Sequence, residues 1–231
     1  THTRSSAASD VYKRQADNYV NVLAKLYAGM SLSGLHGPSG NPDIAGIDEG
    51  FSQYIRVLWN LQDLPTDNAI CRWNDVGIPE MCKMEWSADN SFVKAMYSRI
   101  YYQIPIANVF IKETSDESMT EKGFSNEDQE QLRMYRAEAR FLRALSYYHA
   151  MDLFGNVPFV DETSPIGVFL PEQIQRADLF SWIESELKAI ENILMTASAA
   201  PYGRASQSAC HALLAKMFLN AEVYTLSLIH I

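Results

Sequence analysis

The sequence predicts an all-α protein of stacked antiparallel helix pairs joined by long irregular loops. Three observations predict it. Apolar side chains recur at three- and four-residue spacing in several long segments, start and stop residues bracket those segments, and no alternating β-branched run competes with them. Small side chains at Ala139, Ala144, Ala212 and Ala215 allow helices to approach closely.

The first helix is expected over residues 17–30, where Tyr19, Val22, Leu23, Leu26, Tyr27 and Met30 keep helical spacing. Gly34, Gly37, Pro38, Gly40, Pro42 and Gly46 then mark a long loop. A second helix restarts near Gly50 with Phe51, Tyr54, Ile55 and Leu58 on one face, and Pro65 stops it soon after Leu61. Residues 65–90 are rich in aromatic and polar groups but have no sustained period. They read as loop with short turns, the kind of segment in which function concentrates.

Helical spacing returns over 90–114 through Phe92, Met96, Ile100, Ala107 and Phe110, with Pro105 expected to bend or break the run. Ser125 and Asp128 form a capping box for a helix over 125–154, which Gly155 ends and Pro158 keeps from resuming. Leu179, Trp182, Ile183, Leu187, Ile190 and Leu194 predict a helix over 176–196, and a last one is expected over 206–224.

Composition narrows the function classes. The chain of 231 residues is 47% hydrophobic, enough for one domain with a proper core, and carries a net charge of −9. Nucleic-acid binding calls for a clustered basic face, whereas the arginines between Arg133 and Arg143 alternate with Glu138 and apolar residues, as on a packed helix. Cys71, Cys82 and Cys210 form no paired framework and no metal-ligand spacing, so no metal and no cofactor are expected. Cys210 and His211 are adjacent on a helix and point about 100° apart, a poor nucleophile–base pair, and Cys210 reads as a small buried side chain.

The most informative wording runs from Arg136 to Val160, RAEARFLRALSYYHAMDLFGNVPFV, in which a helix, its stop and its exit follow one another. Together with Gly50–Arg56, Leu64–Asp67, Trp73–Asp75, Pro201–Ala205 and Ala212–Thr225, it resembles the SusD/RagB family of surface glycan-binding lipoproteins, block by block and in family order. Family members are about twice as long, so the resemblance implies that an N-terminal half is present. It also implies a tetratricopeptide-like scaffold, although no clean repeat of about 34 residues is visible in the sequence itself. The implied protein is a non-catalytic surface lipoprotein of the outer membrane, anchored by an N-terminal lipid. It would capture oligosaccharides and pass them to a SusC-like TonB-dependent transporter. The alternative is a helical-repeat interaction scaffold that binds no glycan.

Sugars are held by flat aromatic faces flanked by polar groups, and the irregular stretch supplies both. The resemblance carries glycan-contacting roles onto Asp48, Arg56 and Trp73, with Asn74 beside them. Two positions depart from the starch-binding pattern: Cys71 stands where a second tryptophan is expected and Val76 where a contacting asparagine is expected. Half the aromatic platform is missing, which implies a glycan other than a helical α-glucan. Trp73 either faces solvent as a platform or packs the loop onto the scaffold. Trp59 and Trp182 lie within periodic helices and read as core, and Trp86 fits either role.

An enzyme reading finds less support. Asp48, Glu49, Asp63, Asp67 and Asp75 offer many carboxylate pairs, but abundance alone identifies no acid–base couple, and no nucleophile elbow or phosphate loop is present.

The ends read differently from the rest. Asp10-Val-Tyr-Lys-Arg-Gln15 can be encoded by GATGTGTATAAGAGACAG, and the reverse complement of that string encodes Leu226-Ser-Leu-Ile-His-Ile231. It is similar to a transposase end sequence used in library preparation. Residues 1–15 and 226–231 are therefore expected to be translated adaptor, leaving 16–225 as the SusD-like part. Setting them aside removes three basic side chains and one acidic, and the remaining balance is 16 against 27, a net −11. With the second half of such a protein absent, Leu213, Met217 and Phe218 are expected to be exposed.

Overall fold

Helices dominate the computed structural model, which describes residues 16–34, 41–165, 167 and 169–225. The expectations for residues 1–15 and 226–231 lie outside the described residues. In chain order the helices are α1 (Ala16–Ser31), α2 (Tyr54–Asp63), α3 (Ile78–Cys82), α4 (Ser91–Glu113), α5 (Asp116–Glu121) and α6 (Asn126–Phe154), then α7 (Arg176–Ile190), α8 (Gln207–Leu219) and α9 (Ala221–Thr225). Between α6 and α7, β1 (Val157–Pro158) and β2 (Gln173–Ile174) pair antiparallel, with Val157 opposite Ile174. The described residues fall into two compact units, one of residues 27–103 and one of residues 16–26 with 104–225.

The larger unit is organised by α6. Ser125 caps it as expected, its hydroxyl accepting from the Asp128 N–H at 3.1 Å. Gly155 ends it at φ +72°, where a left-handed backbone favours glycine, and its N–H returns to the Met151 carbonyl at 3.0 Å. Chain exit is fixed by the buried Tyr147, whose hydroxyl donates to the Val160 carbonyl at 2.7 Å and accepts from the Val160 N–H at 2.8 Å. The β1–β2 ladder turns the chain back, so α7 runs antiparallel to α6. Tyr147 meets Trp182 edge-on, and one turn or two toward the start of α6, Arg143 and Arg140 meet Glu186. Leu142, Tyr148, Met151, Leu179, Ile183, Leu187, Cys210 and Met217 fill the core among α6, α7 and α8.

The smaller unit is held by Arg99 of α4, which is almost wholly buried. Its guanidinium donates to the Ser52 carbonyl at 2.6 Å and the Ser33 carbonyl at 3.0 Å, and Asp43 lies 3.5 Å away. One side chain thus ties three points of an irregular chain to a rigid helix, which gives buried backbone oxygens the partners they need.

Several sequence expectations are corrected. The second helix starts at Tyr54 rather than near Gly50, because Gln53 is extended; upstream the Asp48 carboxylate accepts from the Gly50 N–H at 2.7 Å. Its buried face is Tyr54, Val57 and Asn60, while Phe51 packs on Phe92 from the loop and Ile55 is exposed. That rotation also places Trp59 outside, 47% exposed, where a core position was expected. Trp59→Ala should accordingly change the unfolding free energy by only about 0.5 kcal/mol, as for other surface changes. A loss several times larger in the unfolding free energy from denaturant titration would place the indole in the core.

Pro105 neither breaks α4 nor ends it. The helix predicted over 176–196 ends at Ile190, where the Ile193 N–H bonds the Ile190 carbonyl at 2.9 Å in a tight turn in place of the helical ladder. The last predicted helix divides at Asn220, a poor helix former. Leu213 and Met217 are buried against expectation, leaving Phe218 of the three exposed. The short α3 and α5 lacked enough residues to show a period, although Gly77-Ile78-Pro79-Glu80 and Ser115 are start signals in retrospect.

Candidate glycan-binding site

The irregular segment between α2 and α4 is held at its far end by Asn90. The Asn90 amide donates to the Gly77 carbonyl at 3.0 Å while its oxygen caps α4 by accepting from the Phe92 N–H at 2.9 Å. Gly77 has φ +102°, and a Cβ there would stand 2.9 Å from the Asn90 amide, so glycine is required for two independent reasons. Its N–H is held by the Glu80 carboxylate at 3.0 Å. This latch fixes Val76 and Ile78 against Ser91 and Phe92.

Against that floor lies a cleft of about 370 Å³ whose lining includes Asp48, Phe51, Arg56, Trp73, Asp75 and Phe92. The structure therefore brings together three of the four residues proposed from sequence. Asn74 is exposed beside the cleft but does not line it. The Arg56 guanidinium lies over the Trp73 ring at 5.7 Å from its centroid and donates to the Gly50 carbonyl at 2.7 Å. Asp48 holds the same turn through the Gly50 N–H. Trp73 itself is 62% exposed, more than Trp59 and more than the half-buried Trp182. Of the two readings of Trp73, platform or packing, its exposure fits the first.

Such an arrangement suits recognition of a polyhydroxylated ring. The exposed Trp73 indole offers aromatic surface, Arg56 supplies donors in a fixed fork, and Asp48, Asp75 and Ser91 supply acceptors and a hydroxyl. Phe51 and Phe92 line the cleft although their helical periodicity reads as core, and Val76 lines it at the position where the sequence reading expects a contacting asparagine. Val76 is among the most exposed apolar side chains at the cleft, so position 76 presents a methyl surface where an amide would hydrogen-bond. Cys71 is half-buried and lies outside the cleft lining.

Two other places carry less chemistry. A smaller cleft of about 210 Å³ in the larger unit is lined by Asn108, Asp161 and Ser164 among others. Several of its polar groups are already engaged: Asn108 bonds Val160 and Arg143, and the Asp161 carboxylate accepts from Thr163 and Ser164. Burial, with Glu191 nearby, pushes the Cys210 thiol up to about 11, which keeps it protonated and unreactive at neutral pH. Among the described residues, no group of three or more His, Cys, Asp or Glu side chains is arranged to hold a metal ion, and no helix is long and apolar enough to cross a membrane.

Comparison with known proteins decides the family. The model of a SusD-like family, described as starch-binding and associating with the outer membrane, matches residues 59–219. The chain belongs to the SusD-like family. A curated relative, the starch-binding protein SusD of Bacteroides thetaiotaomicron, is 38% identical over 205 residues, covering 88% of this chain and 35% of its own length. The SusD-like chain thus spans about a third of that relative. Solved structures share the fold: a SusD-like carbohydrate-binding protein of Bacteroides fragilis, 24% identical, superposes with a TM-score of 0.62 over 93% of this chain and 39% of its own. A SusD superfamily protein of Bacteroides thetaiotaomicron, 17% identical, gives 0.66 over 91% of this chain and 43% of its own.

Proposed function

We propose that this SusD-like chain is the glycan-capturing part of a non-catalytic protein of the outer-membrane surface, which binds oligosaccharides and delivers them to a TonB-dependent transporter. The observation that carries the reading is the exposed Trp73 indole, held beside Arg56 in a cleft that also presents Asp48 and Asp75. The kinship with a protein named for starch binding supports the ligand class. The ligand contacts assigned to this chain are stacking by Trp73, hydrogen bonds from Arg56, and hydrogen bonds to Asp48 and Asp75, with Asn74 at the margin. A single indole and a methyl surface at Val76 favour a glycan that presents one flat ring face rather than a curved helical α-glucan.

Calorimetric titration of the intact protein against a panel of α- and β-linked oligosaccharides tests this directly. Trp73→Ala should weaken the best ligand by about 1 to 3 kcal/mol, the scale of truncating a binding hot spot, with an unchanged circular dichroism spectrum. Unchanged affinity for every ligand bound would remove the site assignment. Release of reducing ends from any bound glycan would overturn the non-catalytic reading.

A second face is suited to protein contact. Phe218, Leu219 and Val223 are each exposed on α8 and α9, which supports the interaction-scaffold reading for that part of the chain.

A further inference from the structure

The loop that carries Trp73 begins at a cysteine and runs to a helix that ends at another. The Cys82 thiol, at the last position of α3, donates to the Cys71 carbonyl at 3.9 Å, and both side chains are half-buried. Standard bond lengths then hold the two Cα atoms within about 9 Å of each other. A disulfide needs roughly 4.4 to 6.8 Å between them, so closure takes a shift of no more than about 2 to 5 Å. The connecting strand can supply it: among the described residues, the amides of residues 69–76 donate no backbone hydrogen bond, and Arg72, Trp73, Asn74 and Asp75 are all exposed. Cys210 belongs to the other unit and is fully buried, which leaves Cys71 and Cys82 as each other's nearest candidates.

We propose that Cys71 and Cys82 form a reversible disulfide that clamps the Trp73 loop onto α3. The reaction is exchange with a disulfide oxidant. One cysteine thiolate attacks the oxidant, forming a mixed disulfide and expelling one thiol. The second thiolate attacks the protein sulfur of that mixed disulfide and expels the second thiol. Two protein thiols are oxidised, one oxidant disulfide is reduced to two thiols, and the two protons lost by the protein are taken up by the leaving thiolates. The ring so closed contains about a dozen residues and includes Trp73 and Asp75, so the clamp restricts the part of the cleft wall that has the least backbone support. This inference is independent of what the cleft binds.

The sequence provides a direct readout, because trypsin cuts after Arg56, Arg72 and Lys83 and so separates the two cysteines. The intact protein, incubated with oxidised glutathione, alkylated and digested, should yield the peptide Val57–Arg72 joined to Trp73–Lys83, about 2 Da lighter than the sum of the two reduced peptides. Native-state cleavage after Arg72 should slow by at least about fivefold on oxidation and recover with dithiothreitol, since cleavage requires local opening of the loop. In Cys82→Ser the linked pair should vanish and Cys71 should appear as its glutathione adduct. Glutathione adducts on separate peptides in the unmutated protein, or a Cys71 bridge to Cys210 in the variant and the parent alike, would overturn the assignment. A linked pair with unchanged cleavage would overturn the clamp.

Discussion

Arg143→Ala should cost the fold about 3 to 5 kcal/mol, the scale of removing one partner from a buried ion pair. Arg143 is 1% exposed in the middle of α6, and its guanidinium serves three elements at once. It donates to Asn108 of α4 at 2.8 Å, to Glu162 in the exit segment, and to Glu186 of α7 at 2.8 Å, with the Trp182 ring 5.1 Å from its carbon centre. Truncation leaves the Asn108 oxygen and one Glu186 oxygen without that donor in a largely buried site, and removes the cation from the indole face. Glu186 keeps Arg140, which grips it through two N–H groups at 2.7 and 3.1 Å, so the carboxylate stays ionised and the loss falls on the α4–α6–α7 junction. Arg143→Lys should recover only part of the loss, because one ammonium cannot present a planar fork to three acceptors. Urea unfolding monitored by tryptophan fluorescence measures both. A loss below about 1 kcal/mol for the alanine variant would mean that water replaces the guanidinium.

Stability should fall on acidification well before the carboxylates titrate, and His149 is the reason. This histidine is nearly buried on α6 beside the Tyr148 ring, and burial, with Lys216 adding repulsion, lowers its pKa to about 3. In the unfolded chain the same imidazole titrates near 6.5. A folded pKa below the unfolded one means that the unfolded chain binds the extra proton between the two values. The contribution is fully present above pH 6.5 and is lost as pH falls, by about 1.4 kcal/mol for each unit. Between pH 7.5 and 5 the loss should reach about 2 kcal/mol, and His149→Gln should flatten the profile in that window whatever it does to absolute stability. An identical slope in parent and variant would show that the imidazole is solvated. Below about pH 4.5 a second decline is expected. Burial alone would raise the Glu186 pKa, but its hydrogen bonds from Arg140 and the charges of Arg143 and Arg140 outweigh burial and hold it below the usual range, so its stabilisation disappears as it is protonated.

The candidate site was partly legible because its chemistry is local. Trp73 lies in a stretch without helical period, so nothing in the pattern assigned it to a core, and Asp48 and Arg56 flank the same turn eight residues apart. Trp59 shows the opposite case. Its position in an apolar helix suggested burial, but which edge of α2 turns inward is set by packing, and the buried edge is Tyr54, Val57 and Asn60. Asn74 follows Trp73 in sequence yet is not among the residues that line the cleft, because adjacency in an irregular segment does not determine which side chains face it.

The sequence by itself determined the helices with strong periods and clear caps. Ser125, Gly155 and Pro158 act through their own backbone and their immediate neighbours, so no distant contact is needed to read them. Membership of the SusD-like family rests on the same kind of information, a run of residues in order. Only the tertiary structure decided that Arg143 and Arg99 are buried hubs and not surface charges, that the 176–196 run stops at Ile190, and that Cys71 meets Cys82. Each of these depends on a partner far along the chain, and a charge, a carbonyl or a thiol has no periodicity that announces which partner it will find.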